Sequence, residues 1–106
     1  MKNEQLSVAL TMEVINYLNT NELNNDLRRL FLEVIILTSQ RKEYDTLPDN
    51  LRIYCEAKAY EDLCRLSVHY NPEKTGNALP YMTTIARSSF ACMIVKHGKT
   101  QIESRR

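Results

Sequence analysis

Tyr81, Thr83, Thr84, Arg87 and Ser88 are spaced so that a helix through them carries the two threonines, Arg87 and Ser88 outward, with Tyr81 on the boundary. These residue types can do a particular kind of chemistry. A phenol ring stacks on an unpaired base for about 1–3 kcal/mol, hydroxyls reach phosphates or base edges, and Arg87 with nearby Lys74 supplies positive charge. Small outward side chains also permit close approach of a partner. A plain, weakly amphipathic helix with Tyr81 against the core fits the same pattern equally well, and composition does not separate the two.

Other chemistries find less support. Cys55, Cys64 and Cys92 form no CxxC pair, and His69 and His97 are not at finger spacing, so neither a zinc site nor a disulfide framework is expected. Cys55 and Cys64, nine residues apart, point about 180° apart on one helix and cannot share a ligand. Small buried hydrophobes are the expected role. No nucleophile, base and orienting group assemble, and no Gly-rich phosphate loop exists. No catalytic residue, metal or cofactor is expected, and an enzyme ranks last among the readings.

The elements that must position these side chains follow from composition and period. The 106 residues are 43% hydrophobic and 25% charged, with only two Gly and three Pro. These values suit one soluble all-α domain that buries roughly 60–65% of its extended-chain surface. The expected architecture is a compact domain of about four helices over residues 1–96, followed by a short basic tail, 97–106. The longest apolar runs, such as FLEVIIL, are too short to span a bilayer, and MKNEQLSV lacks the apolar core of a signal peptide. A cytoplasmic protein with no membrane partner is expected. Residues 1–70 hold eight Lys/Arg against eleven Asp/Glu, a charge of −3, whereas residues 71–106 hold six against two, a charge of +4. That asymmetry favours an anionic partner for the C-terminal third.

A first helix over about 4–19 places Leu6, Leu10, Val14, Ile15 and Leu18 on one stripe. Asn21 or Asn25 can cap a second helix, the most apolar, built on Leu27, Leu30, Phe31, Val34, Ile35 and Leu37. TSQRKEYDTLPDN is the longest loop, with Asp49 or Asn50 as the cap after it. The third helix, about 50–70, divides into an apolar side (Ile53, Ala57, Tyr60, Leu63, Cys64, Tyr70) and a charged side (Lys58, Glu61, Asp62, Arg65, His69). Taken alone, such a charged stripe is more often a solvated face than a docking surface. Glu56 projects into the apolar side and calls for either a partner or a later helix start. Asn71 and Pro72 stop this helix, Asn77 caps the fourth, about 78–96, and Pro80 is tolerated in its first turn. Ala78, Leu79, Met82, Ile85, Ala86, Phe90, Cys92 and Met93 are expected inward.

The order of residues in RLSVHYNPEKTGNALPYMTTIARSSF resembles the stretch of bacterial sigma factors that ends one helix in an aromatic, turns through a DPEKG-like loop and enters the promoter-recognition helix. It is most similar to the small late-transcription sigma factors of T-even-type bacteriophages, aligning without a gap through Tyr81, Thr83 and Phe90. FLEVIILTSQRKEY extends the similarity upstream, so that it spans most of residues 27–96.

The resemblance implies a sigma region 2-like domain that docks on the clamp helices of the polymerase beta-prime subunit and recognises and opens a minus-ten-like, A/T-rich promoter element. By position it implies polymerase contacts from Lys58, Glu61, Asp62 and Arg65. It gives Tyr81 the base-stacking role, and places Asn77, Thr84, Arg87 and Ser88 on bases or backbone and Lys74 and Lys96 near phosphates. Its partners would be bacterial core RNA polymerase and promoter DNA, in the cytoplasm of a phage-infected host. Departures are visible. Ala57 and Lys58 stand where larger sigma factors carry a Gln-Glu pair, and Thr84 and Ile85 replace a Trp pair. KHGKTQIESRR is less basic than the family's continuation. The family's tail that binds the sliding clamp has no counterpart in these 106 residues: either the sequence is a piece of a longer chain, or direct clamp coupling is absent and a co-activator or another protein supplies it. A polymerase-binding accessory or inhibitor without DNA readout is the alternative.

Overall fold

The computed structural model describes residues 3–74 and 76–98, and within them the chain is helical with no strand. Four α-helices, α1 (Asn3–Thr20), α2 (Asn25–Ser39), α3 (Asp49–Leu66) and α4 (Ala78–Met93), pack around one core. A 3₁₀ turn, Ser67–His69, extends α3, and a π turn, Ile94–Gly98, extends α4. The all-α, four-helix expectation holds. Of the expected basic tail, residues 99–106 lie outside the described residues, while residues 97 and 98 belong to the π turn. Among the described residues no helix is long and apolar enough to cross a membrane.

Local chemistry sets the helix limits. Asn21 adopts φ 58°, a left-handed conformation that Asn tolerates, and its N–H closes on the Tyr17 carbonyl at 2.7 Å, which ends α1. The cap of α2 is neither Asn21 nor Asn25 but Asn24, whose Oδ1 accepts from the Leu27 N–H at 2.8 Å. Its Nδ2 donates to Glu13 at 3.1 Å and so ties the start of α2 to α1. At α3 the cap position falls on Pro48, without a side-chain bond, one residue before the expected Asp49 or Asn50. Asn77 caps α4 as expected.

The cores of α1 and α2 follow their apolar periods: Leu6, Leu10 and Val14, then Leu27, Leu30, Phe31, Val34 and Ile35, are buried. The third helix does not follow its period. Its buried stripe is Leu51, Cys55, Ala59, Asp62 and Leu63, while Ile53 is 65% exposed and Ala57 is exposed. The helix is rolled by roughly a third of a turn from the expected face. The stripe faces α4, where Cys55 Sγ lies 3.7 Å from the Phe90 carbonyl, and the small buried side chains of both helices, Cys55 and Ala59 on one and Ala78 and Ala86 on the other, suit close approach. Rolled this way, α3 leaves Glu56 half-buried at the edge of the stripe rather than inside it.

At the far end, the π turn brings the His97 ring over Tyr54 of α3, with centroids 4.8 Å apart and planes 13° from parallel. Between α2 and α3, Arg52 organises the long loop. Its guanidinium donates to the carbonyls of Ser39 (3.3 Å), Tyr44 (3.1 Å), Asp45 (3.1 Å) and Leu47 (3.4 Å). Those bonds fold the loop inward, so Tyr44 is buried with its ring against Phe90, centroids 5.0 Å apart.

Candidate nucleic-acid interface

The outward row of α4 is present. Thr84, Arg87, Ser88 and Ala91 are exposed, and Thr83 and Tyr81 are half-buried. Two assignments change. Cys92, expected inward, is exposed, and Ser89 is buried in its place. Ser89 is a residue the apolar period could not find, because a hydroxyl carries no hydrophobic signal. Its Oγ donates to the Asp62 carboxylate at 2.7 Å, with the Ile85 carbonyl at 2.9 Å as a second acceptor in reach.

That contact corrects the expectation for the charged side of α3. Asp62 does not belong to an open docking face. It is buried, and its other oxygen faces Lys58 Nζ and Arg65 Nη2, each at 3.2 Å. Burial pushes the carboxyl pKa up, but hydrogen bonds from Ser89, Arg65 and Lys58 outweigh it and hold the group below its ordinary value. Lys58 is half-buried over this carboxylate, while Glu61 and Arg65 are exposed. Exposed Tyr54 and Val68 flank them.

Tyr81 stands at the α3–α4 junction. Its ring lies at 49° to that of buried Tyr70, centroids 5.6 Å apart, and its hydroxyl donates to the Leu66 carbonyl at 3.1 Å. The ring is thus held at both ends, with part of it reaching solvent. Burial raises the pKa of the Tyr70 phenol beneath it.

The remaining expected residues distribute along the helix. Asn77 accepts from the Leu79 N–H at 3.0 Å and also from the Ser7 hydroxyl, and the Ala78 N–H donates to Thr11 Oγ1 at 3.0 Å. The start of α4 is therefore fixed to α1. Thr84 donates to the Pro80 carbonyl at 2.9 Å, leaving its oxygen free to accept. Lys74, in the loop before α4, and Lys96, in the π turn after it, are both exposed and lie beyond opposite ends of a helix about 24 Å long.

Thr84, Arg87, Ser88 and Ala91 come together with Tyr44 around an open depression of about 260 Å³. That is below the roughly 300–1,000 Å³ of small-molecule sites, and it suits a single group. Arg87 Nη2 reaches Glu43 Oε2 at 3.5 Å, and the Arg87 carbonyl accepts a long bond, 3.5 Å, from the Tyr44 hydroxyl. Tyr44 and Glu43 were not among the expected site residues. The one available signal was an aromatic in an otherwise polar loop.

Among the described residues, no group of three or more His, Cys, Asp or Glu is placed to hold a metal ion, and each buried side-chain nitrogen or oxygen has a hydrogen-bond partner. Comparison with known protein families and with curated proteins returns no match to this chain, which leaves the functional reading to stand on the residues and their geometry.

Proposed function

We propose that the chain is a sigma region 2-like module of the late phage type, working in the host cytoplasm. It binds core RNA polymerase through α3 and directs it to late promoters by recognising and opening a minus-ten-like, A/T-rich element with α4. It acts by binding and not by catalysis. The observation that supports this most directly is the outward face of α4: small hydroxyl residues and Arg87 in a continuous exposed row, with a braced, half-buried Tyr81 at one end. A ring already held by Tyr70 and by the Leu66 carbonyl loses little freedom when a base stacks on it. Unpairing costs a few kcal/mol, offset by that stacking and by backbone contacts from Arg87, Lys74 and Lys96. With so few cations, affinity for isolated DNA is weak and falls steeply with salt.

A specific observation favours a second reading, a polymerase-binding accessory or inhibitor that reads no DNA. Asn77, Tyr81, Thr84 and Arg87 each already have an internal partner. Promoter-directed transcription with Tyr81→Phe and Tyr81→Ala separates the two. Under the promoter-opening reading, the phenylalanine variant opens promoters and the alanine variant binds polymerase but does not. Open complexes formed as well by the alanine variant as by the unaltered chain would leave the accessory reading.

A further inference from the structure

A second guanidinium is linked through Glu43 to the Arg87 that lines the depression beside Tyr44. Glu43 splits its carboxylate between two partners: Oε2 faces Arg87 Nη2 at 3.5 Å and Oε1 faces Arg41 Nη2 at 3.6 Å. All three side chains are 40–49% exposed, so solvent screens the pairs and neither holds the loop in place. Tyr44 packing on Phe90 and the four carbonyl bonds from Arg52 do that instead. The Glu43 carboxylate can therefore swing away without unfolding the loop that carries it. Ser88, on the floor, has a hydroxyl with no partner among the described residues, and Ala91 beside it leaves room for an incoming group.

We infer that this depression is a subsite for one backbone phosphate of a nucleic acid, and that Glu43 occupies its cations in the free protein as an internal competitor. The inference rests on the nucleic-acid reading of α4 and extends it to the loop. A phosphate oxygen takes the place of Glu43 Oε2 on Arg87 and accepts from Ser88. Arg41, released from the same carboxylate, faces the next phosphate along the strand. The volume accommodates such a group but falls short of a whole metabolite. The Tyr44 ring is committed to Phe90, so a base stacking on it is the less suitable occupant. The loop thereby sets affinity: the protein binds only where enough phosphate density is present to displace its own carboxylate.

Fluorescence anisotropy of a labelled single-stranded A/T-rich oligonucleotide at low ionic strength tests this with the full chain. Glu43→Gln binds about two- to five-fold tighter than the unaltered protein, the range of one exposed ion pair. Glu22→Gln, which removes the same unit of charge from the α1–α2 connection, has a smaller effect. In an Arg87→Ala background, Glu43→Gln tightens binding less than it does in the unaltered chain, because only Arg41 is left to be released. An abasic oligonucleotide of equal length keeps the dependence on Glu43, because phosphate and not base is read. The inference falls, with the reading of α4 intact, if Arg87→Ala weakens binding but Glu43→Gln behaves like Glu22→Gln or if the abasic strand loses the dependence. It falls together with that reading if no oligonucleotide binds any of these proteins.

Discussion

Ser89 donates a hydrogen bond to Asp62 at 2.7 Å across the seam between α4 and α3, a polar tie within a seam rich in small buried side chains. Removing either partner should be costly, but less than for an isolated buried ion. Asp62 is shared with Lys58 and Arg65, both reaching solvent, and Ser89 can fall back on the Ile85 carbonyl. Asp62→Ala is expected to cost about 1–2 kcal/mol, Ser89→Ala about 1, and Arg65→Ala under about 0.5. Urea midpoints should fall in that order.

The same carboxylate makes stability depend on acid. Its folded pKa lies below the ordinary 3.8, so its contribution is fully present above that value and is lost as pH falls through the lower folded value. Unfolding monitored by circular dichroism should show a steeper acid limb below about pH 4 in the unaltered protein than in Asp62→Asn, where the titration is removed.

Arg52 is predicted to be the residue on which the 40–48 loop depends. Arg52→Ala should cost about 2 kcal/mol and speed amide exchange through this loop, since four carbonyls lose a charged donor. Arg52→Lys should restore little, because one ammonium does not span carbonyls that a planar fork reaches together.

Thiol reactivity should rank by burial. Cys92 is exposed and should label within the mixing period of a disulfide-exchange reagent. Burial raises the thiol pKa of Cys64, which is half-buried, and of Cys55, which is fully buried with its sulfur near the Phe90 carbonyl. Cys64 should react slowly and Cys55 only after unfolding; fast labelling of Cys55 would contradict the α3–α4 seam.

If α3 meets polymerase, Glu61→Lys should weaken capture of the isolated beta-prime clamp helices by about ten-fold while leaving the urea midpoint unchanged, because Glu61 is exposed and lies outside the core. Asp62 is unsuited to this experiment, since reversing its charge would disturb the α3–α4 seam itself.

How much was legible depended on the size of the side chains involved. Large aliphatics at helical period placed α1 and α2 correctly down to Leu6, Leu27 and Phe31. The same weighting misplaced α3, because Ile53 outscores Cys55 and Ala59 although the small pair is what lets two helices approach. Polar pairing was invisible for a related reason: neither Asp62 nor Ser89 signals burial alone, and only their meeting makes either one a core residue. Asn77 was readable from local rules, as was the α4 row through Thr84, Arg87 and Ser88. Tyr44, which lines the depression, and Glu43 and Arg41, which reach it through the ion pair with Arg87, belong to the site only through folding contacts with Arg52, Arg87 and Phe90.

The π turn at Ile94–Gly98 acts as a register offset at the end of α4. Widening a helical turn by one residue rotates the downstream residues by about 100° relative to a regular continuation. Here that offset delivers the His97 ring onto Tyr54. Deleting a single residue inside the turn would therefore leave the helical content of the chain almost unchanged and yet swing Lys96 and His97 round the axis. The last cation of the proposed DNA face would then point elsewhere, so the length of this turn, more than its composition, sets where that face ends.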